Sequence, residues 1–277
     1  MNFLRSKPPI SLSFNERGLD EAQRKRLRTA AGYFQERIDL INSWLRTSRE
    51  PANFTYDLGR SNKLNIASII ALVTGASYET THRYITEIDQ DAELKNIILA
   101  RAASDAFMDL HDQTALFGRR IGWYAVARII KPNIVVETGV DKGLGSMVLC
   151  AALRRNDAEG SLGRYYGTDL MPGAGYLLSG AYAQYGEILY GDSIETLSKF
   201  PHQIDLFIND SDHTPGYERR EYETIAQRLT PKAIVISDNG PANIFDWSQT
   251  VGRRFVHVDE KPLNHWYPGA GISFSFK

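Results

Sequence analysis

The chain has 277 residues, enough for one large domain or for a catalytic domain with a smaller attachment. Its 32 basic and 33 acidic residues leave a net charge of −1, which excludes the strongly basic composition typical of nucleic-acid-binding proteins. The single cysteine, Cys150, excludes an internal disulfide and a cysteine-rich metal site. The longest apolar stretch, residues 66–73, is too short to span a bilayer, and residues 1–14 lack the apolar core of a secretory signal. We therefore expect a cytoplasmic protein with neither a nucleic-acid nor a membrane partner.

The first part of the chain has the apolar spacing of helices. The pattern predicts helices over residues 21–45, 62–73, 80–88 and 91–108. One further helix face repeats every four residues from Phe117 to Ile129, and Pro132 stops it. We expect residues 1–110 to form a helical N-terminal region that acts as a cap or in dimerisation. Residues 111–277 should form a second domain that carries the chemistry. Whether the chain assembles into a homo-oligomer is left open.

After Pro132, short β-branched or aromatic runs alternate with helical segments, which predicts parallel β-α-β units. Five runs have this form, at residues 134–136, 164–167, 187–190, 204–208 and 233–236, and two more strands are expected at 255–258 and 272–276. The predicted fold class is α/β: a doubly wound, mostly parallel seven-stranded Rossmann-like sheet with a helical N-terminal region. Such sheets bind ligands at the carboxyl ends of their strands.

The first predicted strand runs into a glycine-rich turn that contains Gly139, Gly143 and Gly145. Glycines permit a tight turn and a close approach of the backbone to a ligand. The following helix N-terminus offers free N–H groups to a carboxylate or phosphate. The turn therefore indicates a nucleotide-like ligand, with a plain strand-to-helix connection as the alternative.

Acidic residues follow the next two predicted strands. Asp169 ends the second strand, where a carboxylate can accept hydrogen bonds from both hydroxyls of a ribose. The alternative is that Asp169 caps the next helix or turn. Asp192 and Ser193 follow the third strand, and the sequence leaves two roles open for Asp192: binding an adenine amino group or capping a helix.

Two carboxylates and a histidine, Asp210, Asp212 and His213, follow the fourth predicted strand, and Asp238 and Asn239 follow the fifth. Neighbouring carboxylates repel each other unless a cation or a proton lies between them. Oxygen ligands from Asp210, Asp238 and Asn239 suit Mg²⁺ or a similar divalent cation. The alternative is an acid-rich rim satisfied by backbone N–H groups.

These segments, in this order, resemble the class I methyltransferases that depend on S-adenosylmethionine (SAM), over residues 119–239. Residues 137–143, Glu-x-Gly-x-x-x-Gly, are similar to the first SAM motif of that family, and residues 191–193, Gly-Asp-Ser, to its adenine-side motif. Asp210 and Asp238, 28 positions apart (238 − 210), resemble the metal site of catechol-type and natural-product sugar O-methyltransferases. One departure is an added glycine, Gly145, with two charged residues inside the first motif, which leaves the contact to the SAM carboxylate open between Gly145 and Ser146.

The resemblance implies transfer of a methyl group from SAM to a hydroxyl oxygen of a small molecule, with a sugar, a glycosylated natural product or a catechol-like phenol as acceptor. It places SAM on a set of residues from the first three strand ends: Glu137, Gly139, Gly143, Gly145, Ser146, Asp169, Asp192 and Ser193. It also implies Mg²⁺ on Asp210, Asp238 and Asn239, where the ion would lower the pKa of the acceptor hydroxyl. The general base lies three residues beyond the first metal aspartate, which is His213; Asp212 is the alternative base, or it orients His213.

Two other functions compete with this interpretation. A short-chain dehydrogenase fits the glycine spacing, but none of the 14 tyrosines is followed by lysine four residues later, as the catalytic pair of that family requires. A non-catalytic SAM- or metal-binding protein is the other alternative, and the histidine beside the acidic cluster favours an enzyme. Four aromatic residues could stack on an acceptor, although packing in the core or a lid is the favoured role: Trp123, Tyr124, Trp266 and Tyr267.

Overall fold

The structure is a computed structural model that describes residues 11–50, 52–103, 112, 114–238 and 240–277. The helices are α1 Glu21–Thr47, α2 Arg60–Thr74, α3 Tyr78–Asp89, α4 Ala92–Ala103, α5 Arg120–Ile130, α6 Leu144–Ala158, α7 Ser193–Ser198, α8 Pro215–Ile225 and α9 Pro241–Thr250. The strands are β1 Asp57–Leu58, β2 Ile134–Thr138, β3 Arg164–Asp169, β4 Gly186–Tyr190, β5 Ile204–Asn209, β6 Leu229–Ser237, β7 Arg254–Asp259, β8 Pro262–Leu263 and β9 Gly271–Phe276.

The helices α1–α4 of the N-terminal region begin and end at local sequence signals. α1 begins after Asp20, whose side chain accepts from the N–H of Gln23 while the Gln23 side chain accepts from the N–H of Asp20. α2 ends at Gly75, which has the left-handed conformation that glycine adopts at helix C-termini. α3 begins after Ser77, whose hydroxyl accepts from a backbone N–H in the first turn. The helix predicted over 91–108 is seen as far as Ala103, and 104–108 lie outside the described residues.

Helix α5 connects the N-terminal helices to the sheet. It contacts α2, α3 and α6, and its residues from Ile121 to Arg128 are buried. The helix predicted from Phe117 begins three residues later, at Arg120, and ends before Pro132. Because α5 leads directly into β2, it runs back along the sheet, and its N-terminal end lies level with the carboxyl ends of the strands.

The seven-stranded sheet has the order β4-β3-β2-β5-β6-β9-β7. Strands β2 to β6 pair in parallel, and β2 pairs with both β3 and β5, so the direction of winding reverses between β2 and β5. β9 lies between β6 and β7 and is antiparallel to both. The predicted fold, a mostly parallel seven-stranded Rossmann-like sheet after a helical region, is therefore confirmed.

The structure departs most from the predicted strands in two places. β6 begins at Leu229, four residues before the predicted run at 233: Leu229 pairs with Ile204, and the register shifts before pairing resumes at Ile234. The two-residue strands β1 and β8 pair with each other and were not predicted, since so short a segment has no periodicity. This pairing ties the chain before α2 to the chain between β7 and β9.

Two apolar clusters hold the helices on the sheet. The larger one joins α2–α6 to the sheet through side chains such as Ile70, Trp123 and Phe274, and it includes the buried thiol of Cys150. The smaller one lies under α7–α9 and contains Tyr222 and Trp247. The boundary predicted near residue 110 stays a prediction. None of the helices in the described ranges has both the length and the apolar character needed to cross a membrane.

Candidate functional site

The carboxyl ends of β2, β3, β4 and β5 surround a cavity of about 340 Å³, at the place where the winding of the sheet reverses. Five residues that the sequence predicted for the site line this cavity: Gly139, Asp169, Ser193, Asp210 and Asp212. Its other lining residues are Asp141, Thr168, Leu170, Met171, Gly191, Ser211 and Tyr217. The structure thus brings together predicted residues from four separate strand ends.

The turn after β2 lies against the turn after β5. Gly139 has a φ of +78°, and a Cβ on this residue would overlap the carbonyl oxygen of Asp210. The two turns are joined by a backbone hydrogen bond from Asp210 N–H to the carbonyl of Thr138, and Gly139 N–H donates to the carbonyl of Thr168 in β3. Gly143 also has a positive φ, +95°, and packs against the backbone of Gly175. Only glycine fits this close approach, which leaves the cavity open beside Gly139.

Three residues of the predicted SAM motif form the buried floor below this turn. Glu137 is 1% exposed and accepts a hydrogen bond from Tyr165 Oη at 2.5 Å. Ser146 Oγ lies 2.7 Å from the same hydroxyl, and a Cβ on Gly145 would overlap the Glu137 carboxylate. Burial raises the pKa of Glu137 to about 8, and the nearby charge of Asp210 acts in the same direction. Direct contact of these residues with SAM stays a prediction; Tyr165, their shared partner, carried no signal in the sequence.

We expect Glu137→Gln to flatten the pH dependence of stability. The pKa of Glu137 is 4.5 ordinarily and about 8 in the folded protein, so the folded state binds a proton that the unfolded state releases. This contribution to the free energy of unfolding is fully present below pH 4.5 and is lost as pH rises to about 8. Glutamine stays neutral, so the free energy of unfolding of the variant should fall by a few kcal/mol less than that of the wild type across this pH range. Urea unfolding of both proteins at several pH values measures this difference. An equal pH dependence of the free energy of unfolding in the two proteins would contradict the raised pKa of Glu137.

Asp169 combines the two roles that the sequence left open. Its carboxylate accepts from the backbone N–H groups of Asp141, at 2.9 Å, and Met171, at 2.8 Å, and so caps the turn. It also lines the cavity. Because each carboxylate oxygen can accept more than one hydrogen bond, the capping bonds leave acceptor capacity for a ligand.

Of the two roles that the sequence left open, Asp192 has the structural one, as a helix cap. Its side chain accepts from the N–H of Glu195, at 2.9 Å, as the N-cap of α7, and from the hydroxyl of Tyr217, at 2.8 Å. The hydrogen bonds to backbone N–H groups hold the pKa of Asp192 below its usual value. Contact with a ligand stays a prediction for this residue.

Helix α8 contributes two residues that the sequence did not single out. Glu221 is buried and accepts from Ser193, Asn209 and Ser211, and burial raises its pKa. Tyr217, one turn earlier on the same face, lines the cavity. The only sequence signal for these two residues is their spacing of four positions, which places them on one helix face. Most helices contain pairs with this spacing, so it does not identify a site.

The aspartates at the ends of β5 and β6 stand side by side, because Asn209 and Ser237 are partners in the register. Asp210 is partly buried, and desolvation raises its pKa against the lowering effect of Arg119, Arg120 and His213. Arg120 Nη2 lies 3.9 Å from Asp210 Oδ2. Arg119 is the N-cap of α5 and Arg120 its first residue, and no sequence signal assigned them to the site.

Arg119 binds Asp238 through two nitrogens, Nε and Nη2, one to each carboxylate oxygen. Its Nη1 donates to the hydroxyl of Tyr56, at 2.8 Å, and to Glu260, at 3.2 Å. Asn239, the third predicted metal ligand, lies outside the described residues. Within the described residues, no three His, Cys, Asp or Glu side chains are grouped to hold a metal ion. As it stands, Asp238 does not fit Mg²⁺, because the guanidinium of Arg119 already contacts both of its carboxylate oxygens.

The predicted base and its alternative lie on the turn after β5. His213 is exposed, and its charge acts on Asp210. Asp212 lines the cavity and accepts from the N–H of Thr214, at 2.8 Å, which fixes the turn before α8. Asp212 thus lies at the cavity, whereas His213 follows it in the chain and is not among the lining residues.

The four aromatic residues divide into two pairs. Trp123 and Tyr124 are completely buried in α5 and pack in the core. Trp266 packs edge-on against Trp44 of α1, and Tyr267 packs against Tyr56. The second pair thus lies on the side of the N-terminal region, next to the Tyr56–Arg119 contact.

Comparison with known proteins gives one family match. Residues 136–240 match the family model described as a methyltransferase domain. No curated protein matches the chain. Among solved structures, the O-methyltransferase TomG from Streptomyces achromogenes, involved in tomaymycin synthesis and solved with SAM, is similar at 15% identity and a TM-score of 0.48, over 65% of this chain and 88% of TomG. A Geobacter sulfurreducens methyltransferase is similar at 19% identity and a TM-score of 0.47, over 66% of this chain and 90% of that one.

Proposed function

We propose, from the premise that residues 136–240 match a methyltransferase domain, that the chain transfers a methyl group from SAM to a hydroxyl oxygen of a small molecule. A sugar or a glycosylated natural product is the proposed acceptor class. The observation that carries the proposal is the cavity at the reversal of the sheet, which gathers Gly139, Asp169 and Asp210 from three strand ends. The family match agrees with the resemblance inferred from the sequence.

The residues around the cavity fit SAM as its ligand. The tight contact of Gly139 with the next turn leaves room for a ligand beside the backbone, and the acceptor capacity of Asp169 suits a ribose. The side chains of Leu170 and Met171 are largely exposed at the same rim and offer an apolar surface to a base. When bound, SAM supplies an electrophilic methyl group. The protein then has to orient the acceptor oxygen and remove its proton.

The proposed proton acceptor is His213, with Asp212 as the alternative. Both follow β5: Asp212 lines the cavity, His213 is the next residue in the chain, and Asp210 Oδ2 lies 3.9 Å from Arg120 Nη2. A histidine changes its charge near neutral pH and so suits a general base. Asp212 and Asp210 would hold the imidazolium that forms after proton transfer.

Residues of the N-terminal region flank the proposed acceptor side. Lys142, in the turn after β2, lies 4.1 Å from the ring centre of Phe54, and Tyr56 contacts Arg119. These contacts support the predicted role of residues 1–110 as a cap. The alternative role in dimerisation also stays a prediction.

Mg²⁺ assistance, which the resemblance implies, stays a prediction. A divalent ion on Asp210, Asp238 and Asn239 would lower the pKa of the acceptor hydroxyl. It would first have to displace Arg119 from Asp238. Titration with Mn²⁺ and turnover in excess chelator decide this point.

Binding of the demethylated product, S-adenosylhomocysteine (SAH), tests the proposal. We expect calorimetry to detect binding by the wild type and Asp169→Ala to weaken it by about 10- to 100-fold, since a hydrogen bond to a charged group is lost. Asp205→Ala is the matched control: Asp205 also accepts from two backbone N–H groups, of Asn133 and Ile134, but at the opposite end of the sheet. No SAH binding by the wild type, or no turnover on a panel of hydroxylated acceptors, would refute the proposal.

A further inference from the structure

The position predicted for a metal ion already contains positive charge. Arg119 approaches Asp238 with two nitrogens: Nη2 donates to one carboxylate oxygen, and Nε lies in ion-pair contact with the other. Both residues are buried, at 8% exposure for Arg119 and 3% for Asp238. A buried carboxylate needs a compensating cation, and this one has it within the chain.

Arg119 is held in place by more than Asp238. Its third nitrogen, Nη1, donates to Tyr56 and Glu260, and the Tyr56 hydroxyl donates to Glu260 at 2.8 Å. A metal ion on Asp238 would therefore have to break contacts to three side chains and leave the guanidinium buried without its partners. Such a displacement is unfavourable, because an unpaired buried charge is strongly destabilising.

The second aspartate has a cation of its own. Arg120 Nη2 lies 3.9 Å from Asp210, and the guanidinium lies 5.3 Å from the ring centre of Trp123, which holds it at the N-terminal end of α5. Arg119 also acts on Asp210 electrostatically. Asp210 and Asp238 thus face two fixed positive charges from one helix end.

We propose that Arg119 and Arg120 take the place of the divalent cation, so that the site carries out methyl transfer without a metal ion. This inference rests on the proposed function. Arg119 is a positioning residue, which fixes Asp238 and the Tyr56–Glu260 pair. Arg120 supplies the positive charge beside Asp210, at the edge of the cavity where the acceptor oxygen is deprotonated.

The wild-type protein gives the first test. In the presence of SAH, titration with Mn²⁺ followed by electron paramagnetic resonance should reveal no saturable site at submillimolar concentration. Turnover of any acceptor found in the panel should be unchanged in excess chelator. A single Mn²⁺ site that Asp210→Asn removes, or activity lost in chelator and restored by Mg²⁺, would overturn the inference. Absence of SAH binding would instead count against the proposed function, and the Mn²⁺ titration without SAH still decides the metal question.

Removal of the arginine gives the second test. Arg119→Ala should gain a Mn²⁺ site, because Asp238 then stands beside Asp210 without its cation. Arg128→Ala is the matched control, since Arg128 is a buried arginine of the same helix that pairs with Glu87 and Glu159 away from the cavity. Mn²⁺ should raise the melting temperature of Arg119→Ala and leave that of Arg128→Ala unchanged. A folded Arg119→Ala protein with no more affinity for Mn²⁺ than the wild type would contradict the inference. If Arg119→Ala does not fold, the Mn²⁺ titration of the wild type decides.

Discussion

Replacing His213 by alanine should slow methyl transfer by about 10²–10⁴-fold, the usual contribution of a positioned general base. SAH affinity should not change, because His213 is exposed and is not among the residues that line the cavity. A base must be unprotonated to act, so kcat of the wild type should fall at low pH. The variant should lose this acidic limb, which a steady-state pH profile measures.

Two further variants make the assignment specific. His82→Ala removes an exposed histidine of α3 and should leave kcat and its pH profile unchanged. Asp212→Ala should have a smaller effect than His213→Ala, because Asp212 mainly fixes the turn through Thr214. A mild loss in His213→Ala together with a severe loss in Asp212→Ala would make Asp212 the base.

Gly139→Ala should abolish detectable SAH binding and destabilise the protein. The φ of +78° alone costs a non-glycine residue about 1–2 kcal/mol. In addition, the new Cβ would overlap the carbonyl oxygen of Asp210, so the turns after β2 and β5 would have to move apart. Calorimetry with SAH and urea unfolding measure the two effects.

The chain offers a control that separates strain from contact. Gly160 also has a positive φ, +84°, but a Cβ there would meet nothing within 4 Å. Gly160→Ala should therefore lose a similar amount of stability to backbone strain and keep full SAH affinity. If Gly139→Ala binds SAH as well as Gly160→Ala does, the cavity beside Gly139 is not the cofactor site.

The strands were predictable because each is a short apolar run that ends in a polar or glycine turn. Asp169 and Asp210 could be assigned to one edge of the sheet for the same reason: both follow such a run directly, and parallel strands end at the same edge. These predictions need only local sequence and one rule of topology.

The charge partners of the site were not predictable in this way. Arg119 and Asp238 are 119 positions apart, and they meet only because α5 runs back along the sheet, which places its N-terminal end beside the carboxyl end of β6. Likewise, the hydroxyl of Tyr165, 28 residues away, holds Glu137 in the buried floor. Such pairs depend on how a helix packs on the sheet, which apolar spacing alone does not specify.

The insertion of β9 between β6 and β7 bears on how the sheet assembles. β6 and β7 both precede β9 in the chain, yet they join only through it. Until β9 docks, β6 has an open edge and β7 has no place in the sheet, so an assembly intermediate would expose unpaired backbone groups next to apolar side chains. All six residues of β9 are buried, so its docking closes this gap. The stage most vulnerable to aggregation is therefore the interval before β9 docks. The edge exposed at that stage lies at the end of the sheet opposite β4.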